Sequence, residues 1–110
     1  MKLPEEGMLL RIFIGESDNY KGKALYEHIV VKAREMNLAG ATVTRGIMGF
    51  GADSRMHTAK LLRLSEDLPV VIELVDTEEN LNKLLVHLDE VVEEGLITLE
   101  KVRVVKYRHK

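Results

Sequence analysis

The segment Gly46-Ile-Met-Gly-Phe-Gly-Ala-Asp-Ser-Arg-Met-His-Thr58 divides the 110-residue chain into two halves with similar patterns. It contains three of the eight glycines, begins with a strand-like apolar run and ends in a polar, charged stretch. Glycine allows a sharp turn and a close approach of the backbone to a bound group. We therefore expect a loop here, and it is the first place where we expect a small anionic ligand.

The half before this segment predicts strand, loop, helix and strand. Residues 8–14 are rich in branched and aromatic side chains, as in a strand, and residues 15–22 have the polar and glycine content of a loop. Residues 41–50 predict a second strand, in which Gly46 marks a bulge or a close approach of two backbones. Between them, residues 23–37 carry the apolar stripe of an α-helix at Leu25, Ile29, Ala33 and Met36.

The half after the segment returns to the same order of elements. Residues 58–64 are ambiguous between a short strand and a turn of helix, and residues 68–75 predict a third strand. Thr77 is a suitable N-cap for a second helix, which Gly95 ends, and residues 97–107 predict the last strand. The second helix has apolar side chains at helical spacing at Leu81, Leu84, Leu85, Leu88, Val91 and Val92.

The order β-α-β-β-α-β predicts an α+β, ferredoxin-like fold in which two helices cover one face of a four-stranded antiparallel sheet. We expect one domain over residues 1–110. The predicted strands 8–14 and 68–75 are apolar on both faces, so the face without helices would be an exposed apolar patch. Such a patch usually marks an interface, which predicts a homo-oligomer. Arg11 and Glu73 are the polar exceptions, and they either pair or are solvated independently.

Composition excludes several classes of function. The net charge of −2 argues against a protein that binds nucleic acid over its whole surface, and the absence of cysteine excludes disulfides and thiolate metal sites. No apolar run reaches the length of a membrane span, and the N-terminal residues do not resemble a secretory signal. We therefore expect a cytoplasmic protein with neither a nucleic-acid partner nor membrane insertion. The lack of glutamine beside abundant lysine, arginine and glutamate suggests a thermophilic source.

Catalytic and metal-binding residue types are present but poorly arranged. Asp53, Ser54 and His57 have the composition of a hydrolase triad, yet three residues of one loop rarely converge as a triad must. None of the four histidines forms a His-x-x-x-His pair. We expect His28 and His87 to be exposed or half-buried on the two helices. His57, beside Asp53, is a candidate metal ligand if another subunit contributes.

The glycines of the central segment favour an anion site. Gly49-Phe-Gly51 follows a predicted strand and frees backbone N–H groups to approach a phosphate, and Ser54, Arg55 and His57 could add donors. The spacing is neither that of a P-loop nor that of a dinucleotide-binding turn. A plain hairpin loop is the alternative interpretation.

Taken with the order of strands, Gly49-Phe-Gly51 followed by His57-Thr58 resembles the PII signal-transduction proteins. The wider pattern resembles a PII-like family, domain of unknown function 190, over nearly the whole chain. The motifs that carry this resemblance are Ile14-Gly-Glu16, Tyr20-x-Gly-Lys-x-Leu-Tyr26, Gly40-Ala-Thr-Val-x-Arg-Gly46 and Leu68-Pro-Val-Val-Ile72.

The resemblance implies a homotrimer with its sheets facing inward and a long loop after the second strand that changes shape. It also implies an adenine nucleotide (ATP, ADP or AMP) between subunits, with its phosphates against Gly49, Phe50 and Gly51. The chain departs from PII proteins because it has no glutamine, and because residues 93–101 are acidic with one glycine instead of rich in glycine and lysine. The phosphate contacts must therefore differ, and Lys23, Lys101 and Arg103 could provide them.

The leading hypothesis is thus a non-catalytic, trimeric, PII-like regulator that needs no cofactor and senses a small anionic metabolite. Binding would order residues 52–56 and change which protein target the trimer contacts. The alternative is a trimeric divalent-metal-binding or tolerance protein similar to the CutA family, for which His57 would be the ligand. An enzyme at the subunit cleft is a third class, but the sequence shows no nucleophile–base pair for it.

Overall fold

The structure is a computed structural model that describes residues 5–51, 57–58 and 67–108. Its main sheet has four strands, and every neighbouring pair is antiparallel. In spatial order they are β4 (Thr42–Arg45), β7 (Pro69–Asp76), β1 (Glu6–Gly15) and β8 (Leu96–Arg103). Two small hairpins are formed by β2 (Asn19–Tyr20) with β3 (Lys23–Ala24) and by β5 (Met48–Gly49) with β6 (His57–Thr58).

Two helices cover one face of the main sheet: α1 (Leu25–Glu35) and α2 (Glu78–Val91). Their apolar stripes pack on alternate residues of the two central strands, which confirms the ferredoxin-like α+β prediction. Burial of these side chains supplies the main driving force for folding. The fully buried members are Leu10, Ile12, Ile29, Ile72, Leu74, Leu81, Leu84 and Leu88.

Local signals set the helix ends. The Thr77 side chain accepts a hydrogen bond of 3.1 Å from the backbone N–H of Asn80, which confirms the predicted N-cap of α2. At the end of α1, Asn37 adopts a left-handed conformation (φ 60°). The α2 helix stops at Val91, a few residues before Gly95, and Gly95 instead leads directly into β8.

The predicted strand over residues 41–50 was wrong in one respect, because the structure divides it. The first part, β4, joins the main sheet, and Met48–Gly49 pairs with His57–Thr58 in a separate hairpin. The division occurs at Gly46, whose N–H donates to the carbonyl oxygen of Pro69 at 2.7 Å. A Cβ atom at Gly46 would lie 2.8 Å from Cγ of Pro69, which bears out the close approach expected there.

The last strand is also shorter than predicted, since β8 ends at Arg103 and not at residue 107. Beyond it, the Val104 N–H donates to the carbonyl oxygen of Glu5, and the hydroxyl of Tyr107 donates to the carbonyl oxygen of Ala39 at 2.9 Å. The chain therefore leaves the sheet and crosses toward the segment after α1. The ambiguous segment 58–64 lies outside the described residues after Thr58.

Asp76, at the end of β7, is the buried acidic residue of the core. Its carboxylate accepts hydrogen bonds from the N–H of Ala39 (2.8 Å), the N–H of Thr77 (2.7 Å) and the side-chain amide of Asn80 (2.9 Å). These three hydrogen bonds compensate the carboxylate for its loss of water, which burial of a charged group requires. Asp76 thereby joins the segment after α1 to the first turn of α2.

Gly95 provides a test of the turn between α2 and β8. Its backbone has a φ of +155°, and a Cβ atom there would lie 2.7 Å from the carbonyl oxygen of Phe13. We expect Gly95→Ala to lower the free energy of unfolding by about 2–3 kcal/mol, because both the backbone and the clash with β1 are unfavourable. Urea denaturation followed by circular dichroism measures this change.

Gly40 is the matched control, since a Cβ atom at Gly40 would have no heavy atom within 4 Å. Gly40→Ala should change the free energy of unfolding by less than about 1 kcal/mol. Because alanine gives the unfolded chain less conformational entropy than glycine, the change should be toward higher stability. Equal destabilisation by the two substitutions would contradict the steric explanation.

Candidate functional site

The face of the main sheet away from the helices, here called the open face, carries apolar side chains on its two central strands. Leu9 and Phe13 of β1 and Val71 and Val75 of β7 are half-buried on it, and Leu96 of β8 is 57% exposed. The prediction that both faces of the central strands are apolar is therefore confirmed. Neither of the two described helices covers these side chains, since both lie on the other face.

An ion-pair network lies at the centre of the open face. Nε of Arg11 is 2.8 Å from a carboxylate oxygen of Glu73, and a terminal nitrogen of Arg11 is 2.8 Å from one of Glu100. The hydrogen bond that Arg11 donates to Glu73 contributes most to raising the pKa of the Arg11 guanidinium. Of the two alternatives left open by the sequence, pairing of Arg11 with Glu73 is the one observed. The sequence did not indicate Glu100, because the residue of β8 directly opposite Arg11 is Thr98 and Glu100 reaches Arg11 diagonally.

The hairpin of β5 and β6 begins the central glycine segment. Gly49 lies opposite His57 in this hairpin. A Cβ atom at Gly49 would be 3.0 Å from Cγ of Pro69, so Gly46 and Gly49 both pack against the same proline ring. Phe50, the next residue, is 71% exposed. The contact with Pro69 thus explains on steric grounds, without any ligand, why positions 46 and 49 are occupied by glycine.

The predicted site residues fall at two ends of the sheet. Gly49, Phe50 and Gly51 lie near the end where Gly15 pairs with Pro69, and the exposed Lys23 lies near the same end. Lys23 lies at this end because the turn after β1 is short. In that turn the Asp18 side chain accepts a hydrogen bond from the N–H of Gly15 at 3.0 Å, and β3 begins a few residues later.

The other two basic candidates are distant within one chain. Lys101 and Arg103 lie opposite Met8 and Glu6, at the start of β1. β1 has ten residues, and at about 3.3 Å per residue its two ends are about 30 Å apart. Arg103 also lies 3.3 Å from a carboxylate oxygen of Glu5. Within one chain, the glycine segment and these cations therefore lie at opposite ends of the sheet.

Some predicted site residues fall outside the structural description. Ser54 and Arg55, together with Asp53, are not among the described residues, and His57 is described only through its backbone pairing with Gly49. Their proposed roles in anion or metal binding stay predictions.

The open face also contains a shallow groove that the sequence did not indicate, with a volume of about 800 Å³. The segment around Gly40 forms one wall, residues 102–107 form another, and Leu9 and Val75 lie at its base. The hydrogen bond from Tyr107 to Ala39 holds the two walls together. The groove is adjacent to Arg103, at the end of the sheet away from the glycine segment.

The two helix histidines are also in contact. Nε2 of His28 lies 2.8 Å from Nε2 of His87, and the ring of Tyr20 packs against His28 with its centroid 4.5 Å away. Burial lowers the pKa of His28, and the nearby His87 and Lys32 lower it further. Sequence spacing did not predict this pair, because the two residues are 59 positions apart.

Two kinds of feature are absent from the described residues. Within residues 5–51 and 67–108, no three histidine, aspartate or glutamate side chains are grouped as a metal site would require. The helices described in the same part of the chain are too short or too polar to cross a bilayer.

This chain is similar to known proteins in sequence and in fold. The model of the DUF190 family, described as "Uncharacterized ACR", matches residues 7–104. A UPF0166 protein of Aquifex aeolicus is 41% identical over 97 residues, which is 88% of this chain and 91% of that protein.

Two solved structures share the fold at low sequence identity. CPII from Thiomonas intermedia K12, bound to ADP and bicarbonate, superimposes with a TM-score of 0.70 at 16% identity, covering 92% of this chain and 90% of CPII. The GlnK–ATP complex of B. subtilis gives a TM-score of 0.59 at 10% identity, covering 92% and 85%. These similarities establish a PII-like fold for this chain. Because the family model spans nearly the whole described chain and a relative shares 41% identity, the chain belongs to the DUF190 family.

Proposed function

We propose that this protein is a non-catalytic PII-like regulator, a homotrimer that binds an adenine nucleotide or a similar small anion between its subunits. The observation that carries the proposal is the separation of the predicted phosphate contacts in one chain. Glycine residues at one end of the sheet and cations at the other can form one site only if neighbouring copies bring them together.

The open face supports the assembly. Its apolar side chains are those that a trimer with inward-facing sheets would bury. The charged groups at its centre are already paired, since Arg11 contacts both Glu73 and Glu100. A paired charge is far less costly to bury than an isolated one.

The fold relatives support the ligand class. CPII was crystallised with ADP and bicarbonate, and GlnK with ATP. In the present chain, Gly51 would offer its backbone to the phosphates, and Lys23, Lys101 and Arg103 would supply positive charge. We propose that the loop after Gly51 communicates occupancy of the cleft to a protein target.

Calorimetric titration with ATP, ADP and AMP tests the ligand. We expect heat of binding with at least one of them. Arg103→Ala and Lys101→Ala should each weaken binding by at least about tenfold, because a hydrogen bond to a charged group contributes about 1.5–3 kcal/mol. Gly51→Ala should weaken binding by hindering the approach of the backbone to the phosphates.

Lys83→Ala is the control, because Lys83 is an exposed cation on α2. It changes the net charge by the same amount as Lys101→Ala and should leave the affinity unchanged. The absence of heat with all three nucleotides would reject the ligand class. Equal losses in Lys83→Ala and Lys101→Ala would reject the assigned contacts.

A further inference from the structure

His28 and His87 converge in the helix layer, on the side of the sheet opposite the open face. Each is half-buried, and each presents Nε2 to the other across the contact between α1 and α2. Their ring centroids are 5.1 Å apart with an angle of 43° between the planes. Tyr20, from the β2–β3 hairpin, also packs against the His28 ring, with the two ring centroids 4.5 Å apart.

We propose that His28 and His87 form a two-histidine site for a divalent transition-metal ion that prefers tetragonal geometry, such as Cu(II) or Ni(II). Two imidazole nitrogens at about 2.0 Å from a metal and at adjacent corners of a square are about 2.8 Å apart. The observed Nε2–Nε2 distance is also 2.8 Å, which in the metal-free pair is the length of a hydrogen bond, so both rings must turn for their lone pairs to converge on a metal beside the N–N line. A tetrahedral ion such as Zn(II) would require about 3.3 Å, so it fits less well.

The hydrogen bond between the two rings sets which nitrogen carries a hydrogen in the metal-free pair. In the metal-free pair, one Nε2 donates its hydrogen to the other. Metal binding through both Nε2 atoms requires the donor histidine to move that hydrogen to Nδ1, which changes the tautomer and releases no net proton.

The surrounding charges set the strength of the site. Lys32 and Lys21 act on His28 as positive charges, and Glu35 partly offsets them. On α2, Lys83 and Glu90 lie one turn before and about one turn after His87. With two protein ligands, water would occupy the remaining positions of the metal. The expected affinity is therefore moderate, and removal of a neighbouring lysine should increase it.

Titration of the full chain with CuCl₂ and NiCl₂ tests the proposal. A variant with His57→Gln and His109→Gln provides the background, since it removes the two other histidines. We expect this background to bind one Cu(II) per chain, with nitrogen hyperfine splitting in its paramagnetic resonance spectrum. Adding His28→Gln or His87→Gln should lower the affinity at least tenfold. Binding should also weaken as the pH falls from 7.5 to 5, because metal ligation requires a deprotonated imidazole nitrogen.

Lys32→Gln distinguishes an effect on the metal site from an effect of misfolding. It should tighten Cu(II) binding about threefold or more, an increase that a misfolded protein would not give. The proposal is overturned if His28→Gln and His87→Gln leave Cu(II) affinity unchanged, or if the background variant binds no Cu(II). A site that depends on His57 would instead support the metal-binding alternative drawn from the sequence.

Discussion

Replacing Asp76 with alanine is expected to lower the free energy of unfolding by about 3–5 kcal/mol. The carboxylate has no exposed surface and accepts three hydrogen bonds. Its removal leaves buried donors on Ala39, Thr77 and Asn80 without their acceptor, and each unsatisfied donor costs about 1–3 kcal/mol. The loss is a large part of the about 5–15 kcal/mol that stabilises a typical domain.

Asp76→Asn refines this prediction. The substitution keeps the shape and one oxygen, so Thr77 and Asn80 can retain their acceptor while an amide group faces the N–H of Ala39. We expect a smaller loss of stability and faster hydrogen exchange at the Ala39 amide. Urea denaturation at a fixed protein concentration measures the stability, because an oligomer gains stability with concentration.

Asp89→Ala is the matched control, since Asp89 is an exposed aspartate on α2. Its effect should stay within about 0.5 kcal/mol. If Asp76→Ala were no more destabilising than Asp89→Ala, the buried carboxylate would not connect the two segments as described.

The second large effect is expected on the open face. Val71→Lys places a charge among the half-buried side chains of β7, with Glu73 two positions along the same face. The isolated chain can solvate this lysine, but a trimer that packs its sheets together would bury it. An unpaired buried charge costs about 3–5 kcal/mol, which raises the dissociation constant by at least about a hundredfold for each contact.

Sedimentation velocity at micromolar concentration distinguishes the outcomes. The unsubstituted protein should sediment as a trimer and Val71→Lys as a monomer with unchanged circular dichroism. Val86→Lys is the control, because Val86 is 71% exposed on α2, away from the open face. A monomeric unsubstituted protein would remove the proposed assembly. Dissociation by Val86→Lys as well would show that the open face is not the interface.

The sequence predicted those features that depend on periodicity and near neighbours. The order of elements, the apolar stripes of both helices and the Thr77 cap follow from local patterns. The pairing of Arg11 with Glu73 could also be anticipated, because adjacent strands with matching polar positions bring them into register.

Features that depend on distant parts of the chain were not predicted. The Asp76 contact with Ala39 and the contact between His28 and His87 join residues 37 and 59 positions apart. Neither leaves a spacing signal, since the contacts arise from how the two helices end and cross. An aspartate immediately before the Thr77 N-cap was the available hint of the buried carboxylate. The division of the predicted second strand was missed because it depends on Pro69, which lies in another strand.

The contact of Pro69 with two glycines bears on how evolutionary conservation should be interpreted. Any side chain at position 46 or 49 would approach the proline ring to 3.0 Å or less. Invariance of these two glycines among relatives would therefore be explained by steric exclusion, whether or not a relative binds a nucleotide. Paired changes would be informative: a family member with alanine at one of these positions should carry a residue smaller than proline at position 69.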